Sequence, residues 1–201
     1  MNILKKPEWI RKKLFNGTKE NEIKGIVAKN TLHTVCQEAR CPNIGECFSR
    51  KTATFLLLGN ICTRSCRFCN INGKPKDNLE VDYEEPKKVA NAVIEMGLKF
   101  VVLTSVTRDD LRDGGTSIFV ETINEIKSRD KTILIEVLVP DFKGDEECID
   151  KIVTSDIVVF NHNLETVKEN YKFIRPEAKY ERSLKVLDYA KRKNSSVILK
   201  T

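Results

Sequence analysis

From Ala53 to Leu199 short apolar runs of strand length alternate with amphipathic stretches of helix length, and this alternation limits the fold more than any other feature of the chain. The expected strands are Ala53–Leu58, Phe100–Leu103, Thr132–Val139, Asp156–Phe160 and the start of a fifth at Val197–Leu199. Between them, Pro86 suits a first helical position, Val89, Val93 and Met96 recur at helical spacing, and Gly97 fits just past the end. Thr116–Lys127 puts Phe119, Ile123 and Ile126 on one face, and Asp145 is placed to cap a short helix to Val153. Helices are also expected over Leu164–Asn170 and over Tyr180–Lys193, the latter with Leu184, Leu187 and Ala190 on its apolar stripe. The strands are apolar at nearly every position, as in a parallel sheet covered on both faces. Strand–helix alternation with right-handed crossovers then means an α/β wound sheet or barrel. A parallel strand ordinarily leads into another crossover, so the stop at Thr201 is expected to leave C-terminal sequence missing.

Composition excludes several classes. With 201 residues and 40% hydrophobic content the chain has the size of one domain with a real core. No run of about 18 apolar residues exists, so no membrane helix is expected. The opening MNILKKPEWIRKKL lacks the apolar segment of a signal peptide. Residues 1–51 carry 11 Lys/Arg against 5 Asp/Glu, whereas residues 52–201 carry 24 of each. The basic arm therefore faces an acidic partner or is a solvated surface; Trp9, Ile10, Leu14 and Phe15 in it are expected to form a docking helix turn. A neutral body without an aromatic–basic cluster speaks against nucleic acid.

Six of seven cysteines fall between Cys36 and Cys69. Cys62, Cys66 and Cys69 are spaced C-x3-C-x2-C on the loop after the first strand, where α/β folds bind ligands. Three thiolates so close can hold three corners of a cubane iron–sulfur cluster and leave one iron open for chemistry. A zinc ribbon with a distant fourth ligand is the bland alternative. Cys36, Cys41 and Cys47, spaced C-x4-C-x5-C, again offer three thiolates. Alone they would suit zinc or free thiols as well; beside the first group they point to a second cluster. An electron carrier would need four thiolates per cluster. Cys148 reads as a small buried apolar side chain. Without a signal peptide the compartment is expected to be reducing and cytoplasmic.

The C-x3-C-x2-C loop with Phe68 before its last cysteine resembles the radical S-adenosylmethionine (SAM) superfamily. Further segments resemble one family in it, the lipoyl synthases: KKPEWIRKK, Leu32–Cys47, Cys62–Pro75, Leu103–Gly115, Ile135–Phe142, Phe160–Val167 and Arg175–Leu187. The likeness covers nearly the whole chain, and the double cysteine pattern separates it from biotin synthase. It implies a partial parallel (β/α) barrel of the radical SAM type over residues 52–201, behind a cysteine-containing extension over residues 1–51. It implies two 4Fe–4S clusters. The one on Cys62, Cys66 and Cys69 binds SAM through its open iron and cleaves it to a 5′-deoxyadenosyl radical. The one on Cys36, Cys41 and Cys47 is consumed as the sulfur donor. The radical abstracts hydrogen from C6 and C8 of an octanoyl group on a lysine of a carrier domain, a 2-oxoacid dehydrogenase E2 subunit or glycine cleavage H protein. These carriers tend to be acidic, so Lys5, Lys6, Arg11, Lys12 and Lys13 are candidates for steering them. An electron donor such as ferredoxin or flavodoxin is implied too. The family's serine ligand to the second cluster lies in an Arg-Ser-Ser-Tyr-type motif near the C-terminus; Ser195-Ser196 lacks those flanks.

Cofactor contacts are expected from Phe68 and from Thr104 and Ser105, which end the second strand. Gly114 and Gly115 open the next helix and let a backbone approach a carboxylate, or form an ordinary tight turn. Glu136 is a charge inside an apolar strand and is expected to face a polar interior and to hydrogen-bond SAM. Asn161 ends the fourth strand beside His162, to which no acid–base role is assigned. Arg175 contacts SAM or substrate, or is a surface ion-pair partner. No side chain is expected to be catalytic, because clusters and SAM carry the chemistry.

Overall fold

The computed structural model describes residues 17–39, 41–73 and 79–201; the expected helix turn at Trp9–Phe15 and the lysine-rich start lie outside these. In chain order the first elements are α1 (Gly17–Lys29), β1 (His33–Thr34), α2 (Val35–Glu38) and α3 (Ile44–Ser49). Next come β2 (Ala53–Leu57), β3 (Ile61–Cys62), β4 (Asn72–Gly73), α4 (Glu85–Glu95) and β5 (Phe100–Ser105). The chain continues with α5 (Thr116–Arg129), β6 (Leu134–Leu138), α6 (Glu146–Val153), β7 (Val159–Asn161), α7 (Tyr171–Ile174), α8 (Tyr180–Lys193) and β8 (Ile198–Lys200).

The main sheet has the order β1-β2-β5-β6-β7-β8. Every pair in it is parallel except β1–β2, which is antiparallel. Sequential order with right-handed crossovers keeps all the crossover helices on one face, the winding of a (β/α) barrel rather than of a doubly wound sheet. The register sorts the two faces. Phe55, Leu103, Val137 and Phe160 stand side by side and are fully buried, in one cluster with Val93 of α4, Phe119 of α5, Ile152 of α6 and Ala190 of α8. On the other face Leu56, Thr104, Leu138, Asn161 and Lys200 form one row. That polar inner face corrects the expectation that helices cover both faces: one side is helix-packed, the other is the inside of a barrel arc. The N-terminal elements join the same core through Ile23, Val27, Cys36 and Phe48, and β1 adds an edge to the sheet, which the sequence pattern did not foretell.

Several local expectations hold. Pro86 lies in the first turn of α4, Gly97 follows its end at φ +62°, and the Asp145 carboxylate accepts from the Glu147 and Cys148 amides. Three need correction. Leu164–Asn170 is a loop ending in a 3-10 turn at Lys168–Asn170, because Val167 is exposed and finds no core to cover. The buried stripe of α8 is Ser183, Val186 and Ala190, with Leu184 exposed, since Ser183 is turned inward by its hydrogen bonds to His162 and Tyr171. The fourth strand begins at Val159 and not at Asp156.

Candidate metal and cofactor centre

The loop after β2 carries Cys62, Cys66 and Cys69, and all three line a cavity of about 270 Å³ at the carboxyl ends of the parallel strands. Thr104, Ser105, Phe68 and Arg175 line it too. All seven cysteines are free thiols. Among the described residues, no group of three His, Cys, Asp or Glu side chains is placed to hold a single metal ion. A cubane takes three thiolates on three irons, and three thiols on one loop fit it. Two buried polar atoms on the cavity wall, Ser105 Oγ and Arg175 Nε, have no hydrogen-bond partner among the described residues. Buried polar groups are nearly always satisfied, so an orphan donor and an orphan hydroxyl around three thiols fit a polar, anionic ligand there. Phe68 is 53% exposed and forms part of the rim.

The second cysteine group sits close by. Cys36 lies on α2, and Cys41 and Cys47 are near enough for their charges to act on it. Burial pushes the Cys36 thiol up, a hydrogen bond from the Thr54 backbone opposes this, and Cys47 and Cys41 add to the rise. Val35, the neighbour of Cys36, lines the central cavity. Asn70 Nδ2, just beyond Cys69, donates to the Glu38 carbonyl at 2.8 Å. The Asn70–Glu38 bond ties the extension's α2 to the end of the cysteine loop. With one triplet of thiols lining the cavity and a second on the α2–α3 segment, the residues offer donors for two clusters.

Arg175 is set by a chain of hydrogen bonds that runs in one direction when His162 is neutral. Its Nη1 donates to the Asn163 carbonyl (2.7 Å) and to Tyr171 Oη (2.9 Å). Tyr171 then donates to Ser183 Oγ (2.9 Å), Ser183 to His162 Nε2 (2.9 Å), and His162 Nδ1–H to the Val139 carbonyl (2.8 Å). Neutral His162 gives the chain this direction. Burial lowers the His162 pKa, the Val139 bond opposes that, and the Arg175 charge lowers it further. An unfolded histidine titrates near 6.5, so below about pH 6.5 the unfolded chain binds a proton that the folded chain refuses. Stability is expected to fall as pH drops from 7.5 to 5.5, and His162→Gln to flatten that slope; denaturant midpoints at the two pH values measure both.

Glu136 is 5% exposed on the inner face. It accepts from Lys200 Nζ at 2.8 Å and from Asn161 Nδ2 at 3.2 Å, so its buried charge has a partner that sequence reading missed. The Asn161 Oδ1 is left buried without one. Neither Glu136 nor Asn161 lines the cavity wall; they lie below it, on the same inner face. Gly114 and Gly115 stand apart from the thiols. Gly114 borders a different cleft of about 540 Å³ between the β5–α5 and β6–α6 loops. The Gly115 amide donates to Asp113 Oδ1. A Cβ on Gly115 (φ +89°) would collide with Leu58 Cδ1, and one on Gly114 would come 2.8 Å from the Phe142 ring. Close packing accounts for this glycine pair.

A parallel barrel arc with a three-cysteine loop at the carboxyl ends of its strands defines a radical SAM protein. The radical SAM superfamily model matches residues 56–201. The crystal structure of methylornithine synthase (PylB) shares the fold at a TM-score of 0.56 and 16% identity, covering 90% of this chain and 53% of that one. Lipoyl synthase of Alkaliphilus metalliredigens is 50% identical over all of this chain and 69% of its own length. That of Rubrobacter xylanophilus is 49% identical over 98% of this chain and 60% of its own. That of Caldicellulosiruptor bescii is 48% identical over 100% and 68%. The chain belongs to the lipoyl synthase family of radical SAM enzymes, which use two 4Fe–4S clusters and SAM to insert sulfur. It spans between 60% and 69% of the length of these relatives. When bound, the clusters and SAM supply the electron, the radical and the sulfur.

Proposed function

We propose that this chain is the SAM-binding and sulfur-donating part of a lipoyl synthase acting on an octanoyl group held by a lysine of a carrier domain. The observation that carries this is the convergence of Cys62, Cys66 and Cys69 on one cavity that also holds the orphan Ser105 Oγ and Arg175 Nε. In this reading those three cysteines hold the SAM cluster, and Cys36, Cys41 and Cys47 hold the auxiliary one. Residues 1–51 supply the auxiliary ligands and residues 52–201 the barrel. Arg175 grips the anionic end of SAM, Ser105 and Thr104 flank it, and Phe68 shields the rim. Glu136 holds the Asn161 amide on the inner face beneath the cavity. Gly114 and Gly115 serve packing. Carrier partners are E2 subunits or the glycine cleavage H protein, the electron donor is ferredoxin- or flavodoxin-like, and the site of action is the cytoplasm, where thiols stay reduced. No helix among the described residues is long and apolar enough to cross a membrane.

Anaerobic reconstitution of the chain followed by iron, sulfide and zinc analysis tests the reading. About four irons with matching sulfide per occupied cysteine group, and a change in the electron paramagnetic resonance of the reduced protein on adding SAM, are expected. Zinc without sulfide would end it.

A further inference from the structure

Five residues separate the three cysteines of the loop, and four of them are anchored to elements elsewhere in the fold. The Thr63 amide and hydroxyl both donate to the Thr107 carbonyl (3.0 and 2.9 Å), and its Oγ1 accepts from the Asp109 amide (3.0 Å). Arg64 is 4% exposed. Its Nε and Nη2 donate to the two Asp109 oxygens (2.7 and 2.9 Å), and Nη2 also donates to Asp141 Oδ1 (2.7 Å). Ser65 Oγ donates to Glu177 Oε1 (2.9 Å). The Arg67 amide donates to the Ile174 carbonyl (3.0 Å), and its guanidinium lies 3.7 Å from the Phe173 ring centroid.

These anchors close into a ring. Asp141 is fully buried and takes, besides Arg64, the Arg182 Nε of α8 at 2.8 Å. Arg182 Nη2 donates to the Glu177 carbonyl (3.1 Å), and Glu177 returns to Ser65. Two guanidinium groups thus face two aspartates, so the Arg64 charge is balanced locally and is not directed at the thiols. The backbone is held as tightly: a Cβ on Gly73 of β4 would collide with the Arg64 carbonyl oxygen. Burial raises the Asp141 pKa less than the Arg64 and Arg182 contacts lower it, so Asp141 stays ionised at neutral pH. Ordering a metal-binding loop costs conformational entropy, and partners behind the ligands fix their orientation. Here those partners are Thr107, Asp109, Asp141, Ile174 and Glu177.

We propose that Arg64 is a positioning residue for the cluster-binding loop: with Asp109, Asp141 and Arg182 it fixes the backbone that carries Cys62, Cys66 and Cys69. The inference rests on reading those cysteines as the SAM-cluster ligands. Its test uses the full chain, first iron-free and then reconstituted. In the iron-free parent, hydrogen exchange at the Thr63 and Arg67 amides is expected to be slow. Arg64→Met, which keeps the stem and removes the fork, is expected to speed it while the amides of α4 and α5 stay protected. After reconstitution the variant is expected to lose iron to a chelator about 10- to 100-fold faster and to show an altered resonance signal with SAM. Arg64→Lys keeps the charge without the fork and is expected to rescue only in part. Equal loop protection and equal iron retention in Arg64→Met and parent would overturn the proposal while leaving the cluster assignment intact. A parent that binds no iron at these cysteines would overturn both. If Arg64→Met loses protection throughout the fold, Thr63→Val decides: faster iron loss supports the proposal, and unchanged retention overturns it.

Discussion

Alanine at Cys62, Cys66 and Cys69 together is expected to reduce SAM cleavage to background, whereas alanine at Cys36, Cys41 and Cys47 is expected to spare cleavage and abolish sulfur insertion. The two outcomes differ because the two groups meet the central cavity differently. The first three line it directly, next to Arg175 and Ser105, whereas among the described residues the segment of the second group meets the cavity and its loop through Val35 and the Asn70–Glu38 contact. The fold survives either change in this account. Cys69 is exposed, Cys41, Cys47, Cys62 and Cys66 are half-buried, and only Cys36 is in the core. Losing one small buried sulfur costs about 1 kcal/mol. Release of 5′-deoxyadenosine and the mass of an octanoylated carrier after reaction measure the two activities separately. Iron content adds a second axis, with each triple variant expected to lose about four irons relative to a parent carrying both clusters. If removing Cys36, Cys41 and Cys47 also stopped SAM cleavage, the division of labour between the groups would be wrong.

What could be read from the sequence was local in the chain. The cysteine loop is one such feature, since its three ligands lie within eight residues and the loop follows directly on the apolar run of β2. The strands and α5, α6 and α8 were visible because burial imposes a period on neighbouring residues. The Asp145 cap was legible for the same reason. The unread parts depend on contacts far apart in sequence. Arg64 and Asp141 are separated by 77 positions and Glu136 and Lys200 by 64, and no period links them. The signal that existed was weaker: charged residues inside the segments CTRSC, TRDD and VPDF, where a purely structural turn would not need them. The Leu164–Asn170 error has the opposite cause. A helix-like spacing was present, but Glu165 adopts φ +67° and Val167 faces solvent, so nothing rewards helix formation there. The α8 stripe was misread by one position because a serine, counted as polar, is buried to complete the His162–Tyr171 chain.

Arg175→Met is expected to weaken SAM binding about 10- to 150-fold, the effect of losing a hydrogen-bonded charge worth about 1.5–3 kcal/mol. Two of the guanidinium's partners, the Asn163 carbonyl and the Tyr171 hydroxyl, are neutral, and a third is the Cys66 thiol. Its positive charge is therefore available to the cavity, where its Nε lies buried without an acceptor. Burial raises the Cys66 thiol and Arg175 opposes that rise, which places the cation's influence at the cluster ligands themselves. Arg175→Lys retains the charge and loses the fork, so an intermediate loss is expected. Tyr171→Phe removes one neutral hydrogen bond behind the guanidinium, and about a 2- to 10-fold loss is expected from its 0.5–1.5 kcal/mol. Titrating SAM into the reduced, reconstituted chain and following the resonance signal gives the three affinities. The order Met, then Lys, then Phe, from largest loss to smallest, is what a cation aimed by a neutral relay requires. An Arg175→Met variant that bound SAM like the parent would leave the orphan Nε unexplained and remove Arg175 from the site. A Tyr171→Phe loss as large as that of Arg175→Met would mean instead that aiming, more than charge, carries the affinity.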